Sequence, residues 1–170
     1  MAYRLNQKKK SVLVAIHVLS VASWVGGTLA MLLLAIYLQN GANGEQLLYT
    51  MASMEVIDEN LLKYPALLTL FTGIILSVWT QWGLVKHYWV ITKLVLTILT
   101  IMIGIFFLNR WTANLGILIE DLGFIALKNE QFQTTWISVV ATSSFNILCL
   151  AFMTFITYFK PFGKVKKKRK

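Results

Sequence analysis

The pattern of apolar and polar positions divides the chain into four long, continuous apolar runs, at about 11–38, 65–85, 88–108 and 136–159. Each is long enough to cross a bilayer as a helix, which needs about 20 residues for a hydrocarbon core of about 30 Å. Continuous rather than alternating apolar positions favour helices over barrel strands. Two intervening amphipathic segments, 45–62 with apolar residues at helical spacing and 115–127 apolar enough to lie at the membrane surface, are both suited to cap the outer face of the bundle. Pro65 suits the first turn of the second span. The pattern therefore predicts an all-α integral membrane bundle of four transmembrane helices, one domain over 1–170, with amphipathic segments in the outer loops.

Composition agrees. Of 170 residues, 57% are hydrophobic and 14% charged, outside the range of soluble globular chains. The first run is too long for the apolar core of a signal peptide, and no small-x-small cleavage site follows it. The single cysteine, Cys149, excludes an internal disulfide framework.

Charge sets the expected orientation. The N-terminal arm (Arg4, Lys8, Lys9, Lys10), the link bearing Lys86 and the tail at 160–170 hold most of the 16 basic residues. The other side has only Lys63, Arg110 and Lys128, together with all seven acidic residues. The positive-inside rule then places both termini of this multi-pass chain in the cytoplasm. The basic tail reads as a topology signal in contact with anionic lipid; no aromatic residues interleave it, so nucleic acid is not an expected partner.

Ionisable residues inside a bilayer are costly and therefore informative. The spans hold two, His17 and Lys93, each roughly 7–9 Å below the cytoplasmic surface at 1.5 Å per residue. His87 lies at the inner interface. His17, Ser20, Trp24 and Gly27 follow one helical face, and Gly27 removes side-chain bulk from it. That face suits either a neighbouring helix or a flat ligand. Thr69 and Gly73 share a face suited to close packing. Thr142, Ser143, Ser144 and Asn146 form a polar cluster in the fourth span, with Asn146 reading as interhelical glue or a pocket contact. Met51 and Met54 make a lone pair of thioethers beside Glu55, suited to Cu(I) or simply to apolar packing. No HExxH, CxxC, Walker or dinucleotide pattern occurs.

Several short motifs, in order along most of the chain, resemble the HemJ-type membrane protoporphyrinogen IX oxidases and the related CopD-type copper-resistance proteins. They are His17 with the WVGG of Trp24 to Gly27; Met54-Glu55 followed by PALLTLFTG from Pro65 to Gly73; Trp89 with Lys93-Leu94; and Lys160-Pro161-Phe162. Leu108-Asn109-Arg110 is similar to the end of a CopD-type span. The resemblance implies haem b held by His17 as metal ligand, with Lys93 in the cofactor site as the catalytic candidate, and Trp24 and Gly27 against the macrocycle. It also implies a bacterial cytoplasmic membrane, a porphyrin substrate and a quinone or other electron acceptor. The family's Pro-Arg stretch is absent from AMLLLAIYLQ after the first motif, and acidic VIDEN stands where basic residues follow its Met-Glu.

Three functions remain open on the sequence: a haem-b or porphyrin protein with protoporphyrinogen-oxidase-like chemistry; a CopD-like copper-handling protein using Met51, Met54 and His17; and a cofactor-free structural membrane protein. Each admits a homo-oligomer.

Overall fold

The computed structural model describes residues 6–80, 82–161 and 163–165. Arg4, Phe162 and the tail residues 166–170 lie outside the described residues. The chain forms α1 (Gln7–Leu38), α2 (Gly44–Ile57), α3 (Tyr64–Trp79), α4 (Tyr88–Ile103), α5 (Asn109–Leu122) and α6 (Glu130–Phe159). Two π-helical turns, Asp58–Lys63 and Gly104–Leu108, carry α2 into α3 and α4 into α5 without a break. A 3-10 turn, Gly123–Lys128, leads to α6. Among the described residues the result is four continuous helical rods, every one apolar and long enough to cross a membrane.

Neighbouring rods run antiparallel. Along α1 and α3, His17 meets Thr72, whereas Gly27, further along α1, meets Leu61 and Leu62 before α3 begins. Along α4 and α6, Lys93 meets Thr157 and Thr97 meets Met153. α1 packs on α3 and α6, and α4 closes the ring against the same two helices. The N-terminal arm, the α3–α4 turn and the C-terminal segment therefore share one end of the bundle. There His87 bridges Lys164 as an antiparallel pair, and the Lys160 ammonium lies 4.8 Å from the Trp82 ring centre.

The polarity of the bundle is that of a protein solvated by lipid. Ser20, Thr28, Thr69, Thr97, Ser143 and Asn146 are buried, while Leu19, Phe71, Val95, Leu148 and Phe155 face outward. Among hydrocarbon tails an outward leucine costs nothing, whereas small hydroxyl residues let helices approach closely. This is an integral membrane protein.

Two expectations about the helices change. The second apolar run was expected to stay helical to 85, but α3 ends at Trp79. Thr80 turns extended and Gly83 adopts a left-handed φ of +65°, which only glycine adopts without strain. The two amphipathic segments are not separate surface helices. They are α2 and α5, continuations of spans two and three, and they pack with α1 and α6 around Leu38, Leu47, Leu115, Ile119 and Phe132. Even the shortest rod, 30 residues, spans about 45 Å and exceeds the hydrocarbon thickness. Each rod is thus longer than the hydrocarbon core, and α2 and α5 form one end of the bundle. Caps there are made by Asn43, which accepts from the Gln46 backbone N–H, and by Asn129, which accepts from that of Phe132.

Candidate functional site

A cavity of about 390 Å³ lies between the rods and is bordered by both π turns. α1 contributes Trp24, Thr28 and Met31; α6 contributes Val139, Ser143 and Asn146. The first π turn supplies Asp58, Leu62 and Lys63, the second Gly104, Ile105 and Leu108. A π turn widens the helix locally and displaces the wall from its neighbours, and such turns recur at functional sites. Gly104 keeps space open: a Cβ built on it meets nothing within 4 Å.

The lining is mainly apolar, with a few placed polar groups. Asn146 is only 6% exposed, and its Oδ1 has no hydrogen-bond partner among the described residues. Thr28 donates to the Trp24 carbonyl at 2.8 Å, and Thr100 to that of Leu96 at 2.9 Å. Their hydroxyls therefore offer lone pairs to the cavity. Lys63 is engaged by Asp58 at 3.2 Å and Glu59 at 3.7 Å.

His17 and Lys93 lie outside this lining. Trp24 stands between, packed with Ala66, Leu150 and Met153, and seven residues of helix place it about 10 Å along α1 from His17. The imidazole is seated on α3. Its Nδ1 is 2.8 Å from Thr72 Oγ1, and a Cβ on Gly73 would come within 3.3 Å of its Cε1. Thr72 Oγ1 donates to the Leu68 carbonyl at 2.6 Å, so toward His17 it accepts. The proton is thereby assigned to Nδ1, and the lone pair to Nε2. Lys93 Nζ donates to Thr157 Oγ1 at 2.6 Å and lies within electrostatic range of the His17 ring. The shared depth expected for this pair is thus matched by spatial proximity.

The other site residues separate. Gly27 is pressed against the first π turn: a Cβ there would lie 2.8 Å from Leu61 Cβ and 3.0 Å from its carbonyl oxygen. It serves helix contact and leaves no room for a macrocycle. Trp24 lines the cavity, one layer from His17. Met54 also lines it and is fully buried in the outer apolar core, while Met51 packs near Gly116. No cluster of three His, Cys, Asp or Glu suited to a metal occurs among the described residues.

For haem b the donor chemistry fits at one point only. His17 has a neutral tautomer with Nδ1–H held by an oxygen, the usual support of a ligating imidazole. The cavity between the rods lies elsewhere, and neither His17 nor Lys93 lines it. Comparison of the chain with protein-family models, curated proteins and solved structures gives no match.

Asp58, Lys63 and Asn109 line the cavity but carry no signal for it in the sequence. Gly104 did carry one, as an isolated glycine inside an apolar span, which marks a packing or functional requirement.

Proposed function

We propose that this integral membrane protein binds a small lipid-soluble molecule inside its bundle, in the cavity between the two π turns. One observation supports the reading above the others: about 390 Å³ of mainly apolar space, bounded by both π turns and left open by Gly104. The size falls within the range of small-molecule sites, which combine apolar walls with a few polar groups. The test is binding of 1-methoxynaphthalene to the protein in lipid nanodiscs, corrected for empty nanodiscs. Gly104 has helical dihedrals (φ −57°, ψ −52°), so Gly104→Leu fits the backbone and adds bulk at the cavity lining. Saturable binding by the wild type that the leucine variant loses supports the site. Binding that is absent, or unchanged in the variant, defeats it.

A second reading keeps the resemblance to the HemJ and CopD groups: association with haem b or another porphyrin, with His17 Nε2 as iron ligand and Lys93 beside a propionate. The Nδ1–H tautomer imposed by Thr72 supports it. Haem would supply electron transfer; the chain's own part is to orient the imidazole through Thr72 and Gly73. Optical spectra of the purified protein, oxidised and reduced, decide it. A b-type spectrum lost in His17→Ala is the expected result, and a featureless spectrum after haem is added back excludes the reading. Copper on Met51 and Met54 gains no support from their packing. We also propose the orientation with both termini cytoplasmic, on the basis of the lysines gathered at one end.

A further inference from the structure

The buried, uncommitted polar groups on the α6 wall of the cavity are hydrogen-bond donors, and from this we infer its ligand class: a neutral, lipid-soluble ketone whose carbonyl oxygen accepts from the Asn146 amide nitrogen and the Ser143 hydroxyl. The inference rests on the cavity being a binding site, as proposed above.

Both side chains line the cavity and both are almost fully buried, Ser143 4% and Asn146 6% exposed. Three residues apart on α6, they stand on one face, with Cβ atoms about 5–6 Å from each other. Asn146 Oδ1 is covered by protein atoms, so the amide meets the cavity through Nδ2. That nitrogen can only donate, and it has no acceptor among the described residues. Ser143 differs from the other two serines of α6. Ser138 and Ser144 donate to the Thr134 and Val140 carbonyls at 2.9 Å and 2.8 Å, whereas the Ser143 hydroxyl has no partner among the described residues. The threonines across the cavity are already committed: Thr28, Thr100 and Thr112 each donate to a carbonyl of their own helix, at 2.8–2.9 Å.

A buried donor without an acceptor is costly, and an acceptor arriving inside the cavity removes that cost. A carbonyl oxygen has two lone pairs, one for each donor. Neutrality follows from the surroundings. Asp58 and Lys63 at the lining already pair with each other at 3.2 Å, and an unpaired ligand charge in an apolar interior is disfavoured. Met31, Leu62, Ile101 and Val139 suit an apolar body. Asn146 and Ser143 are thus specificity-determining residues: they distinguish a carbonyl from a hydrocarbon of the same shape.

The experiment compares 1-acetylnaphthalene with its shape-matched alkene, 1-isopropenylnaphthalene, on the full chain in lipid nanodiscs, each corrected for partition into empty nanodiscs. The ketone is expected to bind the wild type about tenfold more tightly than the alkene, the effect of hydrogen bonding to otherwise unsatisfied buried donors. In the double variant Ser143→Ala with Asn146→Leu the preference disappears. The infrared carbonyl stretch of the bound ketone, isotope-labelled at that carbon, is expected below its frequency in empty nanodiscs. Equal wild-type binding of the two probes, a preference that survives in the double variant, or an unshifted stretch overturns the assignment and leaves the cavity site standing. Absence of saturable wild-type binding by either probe, or binding unchanged in Gly104→Leu, overturns the cavity site itself. If the double variant fails to insert, the wild-type ratio and the carbonyl stretch decide.

Discussion

Gly26 and Gly27 are adjacent, chemically identical and in one helix, yet the structure gives them opposite roles. A Cβ on Gly26 meets nothing within 4 Å; a Cβ on Gly27 meets Leu61 Cβ at 2.8 Å, Leu61 O at 3.0 Å and Leu62 Cδ2 at 3.0 Å. Replacing either by alanine reduces the backbone freedom lost on ordering, worth about 0.5–1 kcal/mol in a helix interior. That gain is common to both and cancels in the comparison. What remains is the overpacking at Gly27, typically about 1–3 kcal/mol, because the nearest atoms are a Cβ and a carbonyl that move only with the backbone. Gly26→Ala is therefore expected to equal or exceed the wild type in stability, and Gly27→Ala to fall below Gly26→Ala by about 1–3 kcal/mol. Reversible unfolding in mixed micelles, followed by circular dichroism, measures the difference. Equal stabilities, or the larger loss at Gly26, would refute the close approach of α1 to the first π turn.

Trp136 Nε1 donates to the Ala35 carbonyl at 2.7 Å, tying α6 to α1, so Trp136→Phe should cost about 1–3 kcal/mol in the same unfolding assay; an unchanged midpoint would show that the tie is not formed. Asn129→Ala removes the cap of α6 and should cost about 0.5–2 kcal/mol, with Asn129→Ser retaining most of the stability and a full loss in both variants arguing against capping. For topology, a cysteine at Lys128 in a Cys149→Ser background should react with an impermeant maleimide on intact cells, and one at Lys164 only after permeabilisation. The reverse pattern overturns the orientation.

The bundle was legible because its signal is collective. Four apolar runs are constrained by bilayer thickness, and no single residue decides them. The outer half was harder to read. The segments around Met54 and Leu115 bear enough polar residues to resemble surface helices, and their burial depends on α2 and α5 meeting each other and α1. That is tertiary information. His17 and Lys93 stood out because a charge inside a membrane is rare. Their common depth followed from rise per residue, and the structure brings them together. Their separation from Trp24 and Gly27 did not follow from the helical wheel. A wheel reports that four residues share a face, whereas Gly27 meets the first π turn and His17 meets Gly73, on different parts of the partner rod. The cavity was invisible for a related reason: it arises from two π turns, and no propensity in DENLLK or GIFFL announces a wider turn.

The antiparallel ring has a consequence for how the protein is made. As the chain leaves the ribosome, α1 can dock on α3 once the second span has entered the membrane, since Gly27, Leu61, His17 and Thr72 are all present by then. The cavity has no such early form. Its far walls are Gly104 and Asn146, and the end of the bundle is latched only when Lys160 reaches Trp82 and Lys164 reaches His87. Until the last span arrives, Thr28 and the π turn with its Asp58–Lys63 pair lack the wall formed by Val139, Ser143 and Asn146. A chain stalled before α6 therefore holds the cavity open on one side, with the lining from α1 and the two π turns turned toward lipid.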